Sequence, residues 1–363
     1  MNLIRPSAVS IFSGAGGLDL GFHKAGFDIK FSTDSWQTAC DSLRQNKCPE
    51  HVECRDIREI NFKKALKALR ANEIDCLIGG PPCPPYSKSR FYLKQKKRAL
   101  ADENSYTLEE YFRALSEIQP KVFLFENVHG FIYRPHLEAF NFLREQCDAL
   151  GYNITSKVIN AADFGVPQIR ERFICVGVKR GLPEFIFPKS THYNPEKKSA
   201  MKGQKPWVTC GDVLNDLDYS LPGDKKMEAG SKHKDLLKLV PPGQNYLFFT
   251  KERGYPNPVF KWRSRYWSFL LKLSPKKPSW TIQASHSNNM GPFHWKNRFL
   301  RISEIKRIQT FSDDYVILGD FKEQWRQIGN AVPPFLAEVI AGEIKKQIFE
   351  DKSLLEQQLC LVI

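Results

Sequence analysis

Short apolar runs recur along the first half of the chain, each ending in glycine, proline or an acid. Ala8-Val9-Ser10-Ile11-Phe12 leads into Ser13-Gly14-Ala15-Gly16-Gly17-Leu18, followed by a helical stretch that ends near Gly26. Residues 29–33 stop at Asp34, Leu77-Ile78 stops at Gly79-Gly80-Pro81-Pro82-Cys83, and residues 122–125 stop at Glu126-Asn127-Val128. Between them, residues 62–70 and 108–118 have helical spacing, and Pro120 ends the second stretch. Strands alternating with helices predict an α/β fold built on a parallel sheet, and such folds bind ligands just beyond the carboxyl ends of their strands.

Those ends hold the candidate chemistry. A strand, a glycine turn and a helix start form an element that admits a ligand to bare backbone and offers it free N–H groups; a plain tight turn has the same letters. No Lys-Ser/Thr follows the glycines, which argues against a phosphate-gripping loop. Asp34, at the tip of the second strand, is placed to accept from a ribose diol or to cap a helix, and Asp56 in Cys54-Arg55-Asp56-Ile57 is a second strand-end acid. Cys83 sits among four prolines that fix its direction, which suits a nucleophile better than a packed thiol. Glu126 ends its strand as Cys83 ends its own, so parallel neighbours would bring both to one sheet edge, with Glu126 as an acid. Gln168, Arg170 and Arg172 alternate before an apolar strand, and buried guanidinium needs an anionic or carbonyl partner.

The second half reads differently. From residue 179 to about 296 the composition shifts to Pro, Lys, Trp and Gly with few periodic elements, which predicts a second domain. Lys261-Trp262-Arg263-Ser264-Arg265-Tyr266-Trp267 and Gln283-Ala284-Ser285-His286 mix cations, aromatics and amides suited to phosphates and base edges, although the aromatics would also serve as a small core. Residues 298–311 read as largely helical, and Gln327-Ile328-Gly329-Asn330-Ala331-Val332-Pro333-Pro334 as the opening of a last helix with Leu336, Val339, Ile340, Ile344 and Ile348 on one face.

Composition narrows the class. The 363 residues, 42% of them hydrophobic, suffice for a sizeable core, and 54 Lys and Arg against 40 Asp and Glu give a charge of +14, which favours a polyanionic partner. The basic stretch after Cys83, with Ser87, Lys88, Arg90 and Lys94, reads as a lid that grips phosphate. Nine cysteines without a Cys-x-x-Cys pair, and His286 and His294 without cysteine partners at metal spacing, predict no zinc and no disulfide framework. The sequence lacks both a long apolar span and a signal-like leader, so a cytoplasmic protein without membrane attachment is expected.

Taken in order, FSGAGGLDLGF, Asp34, RDI at residues 55–57, GGPPCPPYS, ENV at 126–128, QIRER at 168–172, RISEIKRIQTFSDDY and QIGNAVPP resemble the DNA cytosine carbon-5 methyltransferases, in particular the bacterial restriction-modification type. That resemblance implies a Rossmann-like S-adenosylmethionine-dependent sheet domain over 1–180, completed by 325–363, and a smaller, irregular target-recognition domain with its hinge over 181–324. It implies that Cys83, beside Pro82, attacks the cytosine ring while Glu126, Arg172 and Arg170 hold it. Phe12, Ser13, Gly14, Ala15, Gly16, Gly17, Leu18, Asp34, Ser35, Asp56, Ile57, Gly80, Leu108, Asn330, Ala331 and Val332 would then meet the cofactor. Ser87, Lys88, Arg90, Lys94, Gln168, Arg263, Arg265, Gln283, Ser285 and His286 would face double-stranded DNA carrying a short recognition sequence. A monomer working beside a restriction endonuclease of the same specificity is expected. Pro84 stands where the family commonly has Gln and Ser35 where it has an aromatic, which predicts altered contacts. The competing readings are a tRNA cytosine carbon-5 methyltransferase, a catalytically idle DNA-binding module and a nicotinamide dehydrogenase.

Overall fold

The structure is a computed structural model that describes residues 5–71, 73–82, 106–197, 200–229 and 231–350. In chain order the first eight strands are β1 (Ser7–Ile11), β2 (Asp28–Asp34), β3 (Val52–Cys54), β4 (Cys76–Gly79), β5 (Val122–Val128), β6 (Tyr152–Asn160), β7 (Gln168–Ile169) and β8 (Glu171–Lys179). The helices are α1 (Gly17–Lys24), α2 (Gln37–Asn46), α3 (Phe62–Ala68), α4 (Tyr106–Ile118), α5 (Leu137–Ala149), α6 (Cys210–Leu214), α7 (Lys234–Leu239), α8 (Ile302–Ile308), α9 (Phe321–Asn330) and α10 (Pro334–Ile344).

The chain divides into two compact units. One comprises Met1–Ile159, Glu171–Lys189 and Pro334–Ile363; the other comprises Asn160–Arg170 and Ser190–Pro333. The first holds a seven-stranded sheet ordered β3-β2-β1-β4-β5-β8-β6. β1 pairs in parallel with β2 and β4, β4 with β5, while β8 runs antiparallel to β5. The sequence order reverses between β1 and β4, which makes the crevice beyond their carboxyl ends the topological switch point. Buried on both faces, β4 and β5 are continuous apolar runs, and Leu77, Ile78, Phe123, Leu124 and Phe125 are wholly buried.

The last helix returns to the first. A β-carbon on Gly21 of α1 would lie 2.4 Å from Ala337 Cβ and 2.5 Å from the Pro334 carbonyl of α10. Only glycine permits this approach.

The second unit holds short helices, the β7 pairing with Ser279–Trp280, and a core that includes Leu237, Tyr246, Phe249, Leu270 and Phe293. It contains residues 160–170 and 325–333, so the division differs from the expected 1–180 and 181–324. Two helix expectations are also corrected. Residues 298–301 are not helical, because the Arg298 guanidinium grips both oxygens of Glu304 at 2.9 and 2.6 Å, and Glu304 also accepts from the Arg301 N–H at 2.8 Å. α8 therefore begins at Ile302. The Gln327 run closes α9 rather than opening the last helix; the extended Ala331 separates α9 from α10, and Ile348 falls beyond α10.

Gly21→Val should force α1 and α10 apart. We expect a loss on the order of 1–3 kcal/mol, read as a lower midpoint in thermal unfolding; an unchanged midpoint would contradict the packing described.

Candidate active site

Strand register sets the site. Ile11 lies opposite Gly79, and Gly79 opposite Phe125, so Phe12, Gly80 and Glu126 stand at one level, where β1 and β4 end and β5 runs on to Val128. Gly80 and Glu126 are side by side: a β-carbon on Gly80 would sit 2.8 Å from the Glu126 carboxylate. The turn that follows is anchored, since the Asn127 side-chain amide donates to the Pro81 carbonyl at 3.4 Å and the Thr107 hydroxyl to the Pro82 carbonyl at 3.4 Å. Cys83, Ser87, Lys88, Arg90 and Lys94 lie outside the described residues.

Glu126 is paired. In the β5–β8 ladder Glu126 faces Ile174 and Val128 faces Arg172, so Glu126 and Arg172 are diagonal neighbours on one face. The Arg172 Nε stands 2.8 Å from the Glu126 carboxylate, and each side chain is 12% exposed. An ion pair this poorly solvated is held close, and truncating either partner would strand the other charge.

The glycine turn after β1 is shaped by positive φ. Phe12 (φ 54°), Gly14 (φ 53°) and Gly16 (φ 80°) all take the left-handed region, which for phenylalanine costs on the order of 1–3 kcal/mol. The Ser13 N–H donates to the Thr33 carbonyl at 3.0 Å, and the Gly14 N–H to Asp34 Oδ2 at 2.8 Å. Asp34 Oδ1 accepts from the Trp36 N–H at 2.9 Å. The Asp34 carboxylate thus ties the turn to the start of α2. Ser35 is exposed and Trp36 half-buried, so an indole stands one position beyond the expected aromatic.

Asp56 and Ile57 follow β3. The Asp56 carboxylate receives the Arg58 guanidinium at 3.0 and 2.6 Å, which holds it below the usual aspartate range. Arg58 in turn lies 4.4 Å from the Tyr106 ring centre. Ile57 and Leu108 are buried. Ala15, Gly17 and Leu18 are buried at the turn and the first residues of α1.

In the second unit Arg170 is 1% exposed, and its guanidinium donates to the carbonyls of Ile282 (3.1 Å), Gly329 (2.9 Å), Asn330 (3.4 Å) and Ala331 (2.9 Å). The arginine therefore holds the Gly329-Asn330-Ala331 turn, while Arg172, two residues on, contacts Glu126. Their expected shared face is not formed, because β7 ends at Ile169 and β8 begins at Glu171. Gln168 is wholly buried against Gln309 and accepts from the Ile282 N–H at 3.0 Å, a packing position rather than the expected DNA-facing one. His286 lies tilted over Trp325 with ring centres 4.7 Å apart, and its pKa is lowered by burial, whereas Gln283 and Ser285 are exposed. Residues 261–267 are all exposed, and Arg253 and Arg263 flank the Trp262 ring at 6.0 and 5.8 Å. Arg265 lies 5.8 Å from the Phe269 ring. Asn330 is exposed and Val332 buried.

Sequence reasoning missed Thr107, Asn127 and Trp36 as site residues. Asn127 had a signal, a polar amide directly after the strand-end acid; Thr107 had none.

A sheet in this order, with a glycine turn at one side of the switch point and a proline turn at the other, is the methyltransferase α/β fold. The Entamoeba histolytica methyltransferase EhMeth superposes with a TM-score of 0.63 at 17% identity over 95% of this chain and 99% of that one. The S. pombe Dnmt2 methyltransferase does so with 0.60 at 14% identity over 98% and 99%. The family described as C-5 cytosine-specific DNA methylase matches residues 7–346, and the chain belongs to that family. It is 38% identical to the type II methyltransferase M.SacI of Streptomyces achromogenes over 94% of this chain and 93% of that one. To M.NgoFVII of Neisseria gonorrhoeae it is 32% identical, over 91% and 84%. The protein is a DNA (cytosine-5) methyltransferase of the type II restriction-modification kind. Among the described residues no helix is long and apolar enough to cross a membrane.

Arg170→Met would take a donor from each of those carbonyls, leaving that of Ala331 with the Gln309 side-chain amide at 2.6 Å. A loss on the order of 3 kcal/mol in urea unfolding is expected, with faster amide exchange around residues 329–331; native exchange there would show that the arginine is not what holds the turn.

Proposed function

We propose that the chain methylates carbon 5 of an extruded cytosine within a short DNA sequence, using Cys83 as a covalent nucleophile and S-adenosylmethionine as donor. One observation carries the reading: Gly80, three residues before Cys83 in the sequence, packs against the carboxylate of the nearly buried Glu126–Arg172 pair, and the Pro81-Pro82 turn after it is anchored.

The cofactor reading has its own support. Open space lies over Gly14, where an added β-carbon would meet nothing within 4 Å. The buried Thr33 hydroxyl has no partner among the described residues. A ligand that approaches bare backbone and brings polar groups fits both features. Phe12 would stack on its adenine, Asp34 would accept from its ribose, and Ile57 would line the adenine edge. Asp56 would act there through the oxygen capacity that Arg58 leaves free. When bound, S-adenosylmethionine supplies an electrophilic methyl group.

Carbon 5 of cytosine is a weak nucleophile until the ring gains electrons. The Cys83 thiolate adds at carbon 6, and Glu126, protonated and acting as the acid, donates to ring nitrogen 3, where negative charge develops. Arg172 is near enough to Glu126 to hold oxygen 2 from the same side. After transfer a base takes the carbon-5 proton, and the electron pair it leaves behind re-forms the ring double bond and expels the Cys83 thiolate. The base must be drawn out of the duplex first, at a few kcal/mol. Exposed residues 261–267, with Gln283 and Ser285, would supply phosphate and base-edge contacts toward that cost. Like its type II relatives, the protein would shield DNA from a nuclease of the same specificity.

Cys83→Ala should abolish methyl transfer to duplex DNA yet retain sequence-specific binding, as read by tritium transfer and gel shift. Methylation by that variant would end the covalent scheme. Glu126→Gln should lower the single-turnover rate by about 100-fold or more, the range of a lost charge-stabilising group; a native rate would remove Glu126 from the chemistry.

A further inference from the structure

Asp19, in the first turn of α1, is wholly buried, and among the described residues no cation pairs with it. Buried Glu304, by contrast, has Arg298. Hydroxyls hold Asp19 instead. Ser10 of β1 donates to one oxygen at 2.9 Å, Ser32 of β2 to the other at 2.5 Å, and Ser13 donates to the Ser10 oxygen at 2.8 Å. A carboxylate has no hydrogen to give, so Ser10 must donate to it and Ser13 must donate to Ser10. The Ser13 oxygen, in the glycine turn, is then left with acceptor capacity alone.

We propose that Asp19 is a positioning residue for the cofactor: through Ser10 it holds the Ser13 hydroxyl as an acceptor, matched to the ammonium donor at the amino-acid end of S-adenosylmethionine. The inference rests on the cofactor reading above. A proton on Asp19 reverses the relay, since Asp19 then donates to Ser10, Ser10 to Ser13, and Ser13 turns its hydrogen outward. Burial pushes the Asp19 carboxyl up to about 6, with the Asp34 charge on β2 adding to the rise against the two hydroxyl bonds. The Cys48 thiol beyond α2 also lies in its field and is itself raised by burial. α10 meets α1 at Gly21 through the Ala337 side chain and the backbone of Pro334 and Glu338, so the one titratable residue there contributes its amide nitrogen to that contact. Because the folded-state value is raised, Asp19 favours folding at acid pH, and that contribution is lost as pH rises through about 6. Asp19→Asn therefore removes a buried charge at neutral pH and should fold.

The test is titration calorimetry of the full chain with S-adenosylmethionine at about pH 6 and about pH 7.5, in buffers of different ionisation heat. The native protein should bind more tightly at the higher pH and release protons near pH 6. Ser10→Ala and Asp19→Asn should each bind about tenfold more weakly at the higher pH and release no such proton. Ser32→Ala removes a partner of the same carboxylate but leaves the relay, so it should stay within about threefold of native and still release protons. Ser10→Ala with native affinity and pH dependence, or Ser32→Ala falling as far as Ser10→Ala, would overturn the relay. Were Asp19→Asn insoluble, the two serine variants would decide alone. Native protein that binds no S-adenosylmethionine would sink the cofactor reading itself, a different result from a tight but relay-independent one.

Discussion

The placement of β4 between β1 and β5 is the constraint from which the site follows. Its four residues are wholly interior, and their register with both neighbours fixes where the turns after β1 and β4 leave the sheet and where Glu126 stands beside them. A slip of one residue would turn Leu77 and Ile78 to opposite faces and carry the proline turn away from Glu126. Two glycines make the close fit possible: a β-carbon on Gly79 would lie 2.8 Å from Ile11, and one on Gly80 as near to the Glu126 carboxylate. Burial of the strand thus specifies chemistry at its end, although none of its own side chains takes part.

Charge is handled differently by groups that look alike in sequence. Arg170 and Arg172 are separated by one residue, yet one spends its donors on carbonyls of a turn and the other meets a carboxylate. The carbonyls neutralise nothing, so Arg170 keeps its charge while losing its freedom; Arg172 forms a nearly neutral pair that holds a donor and an acceptor side by side. Such a pair needs little rearrangement when a ligand arrives. That is the property expected of a preorganised site.

Much of this was legible in the apolar runs. Each short run that ended in glycine, proline or an acid became a parallel strand, and the pairing of the cysteine strand with the glutamate strand followed from their buried character. The alternation from Gln168 to Arg172 misled, because alternation presumes one continuous strand, and the chain changes pairing partner at Arg170. Backbone carbonyls are invisible in a sequence, so nothing marked residues 329–331 as the arginine's partners. α5 and the half-exposed β6 escaped notice for want of motif residues or a clean buried face. The helix expected from residue 298 failed because Arg298 was better satisfied by Glu304 than by helical backbone.

Asp34 shows how a site can be rigid and still have capacity. Both of its oxygens already accept backbone N–H groups, from Gly14 at 2.8 Å and Trp36 at 2.9 Å. An ionised carboxylate offers about four acceptor positions, more than these two amides take up. The amide bonds cost a ligand nothing, because they form on folding, and they fix the carboxylate's direction before any ligand binds. The strained backbone at Phe12 belongs to the same economy: β1 on one side and the turn on the other hold the ring where solvent alone would not keep it. Folding free energy is thereby invested in the orientation of a few side chains, and a ligand that matches them binds without first having to order them.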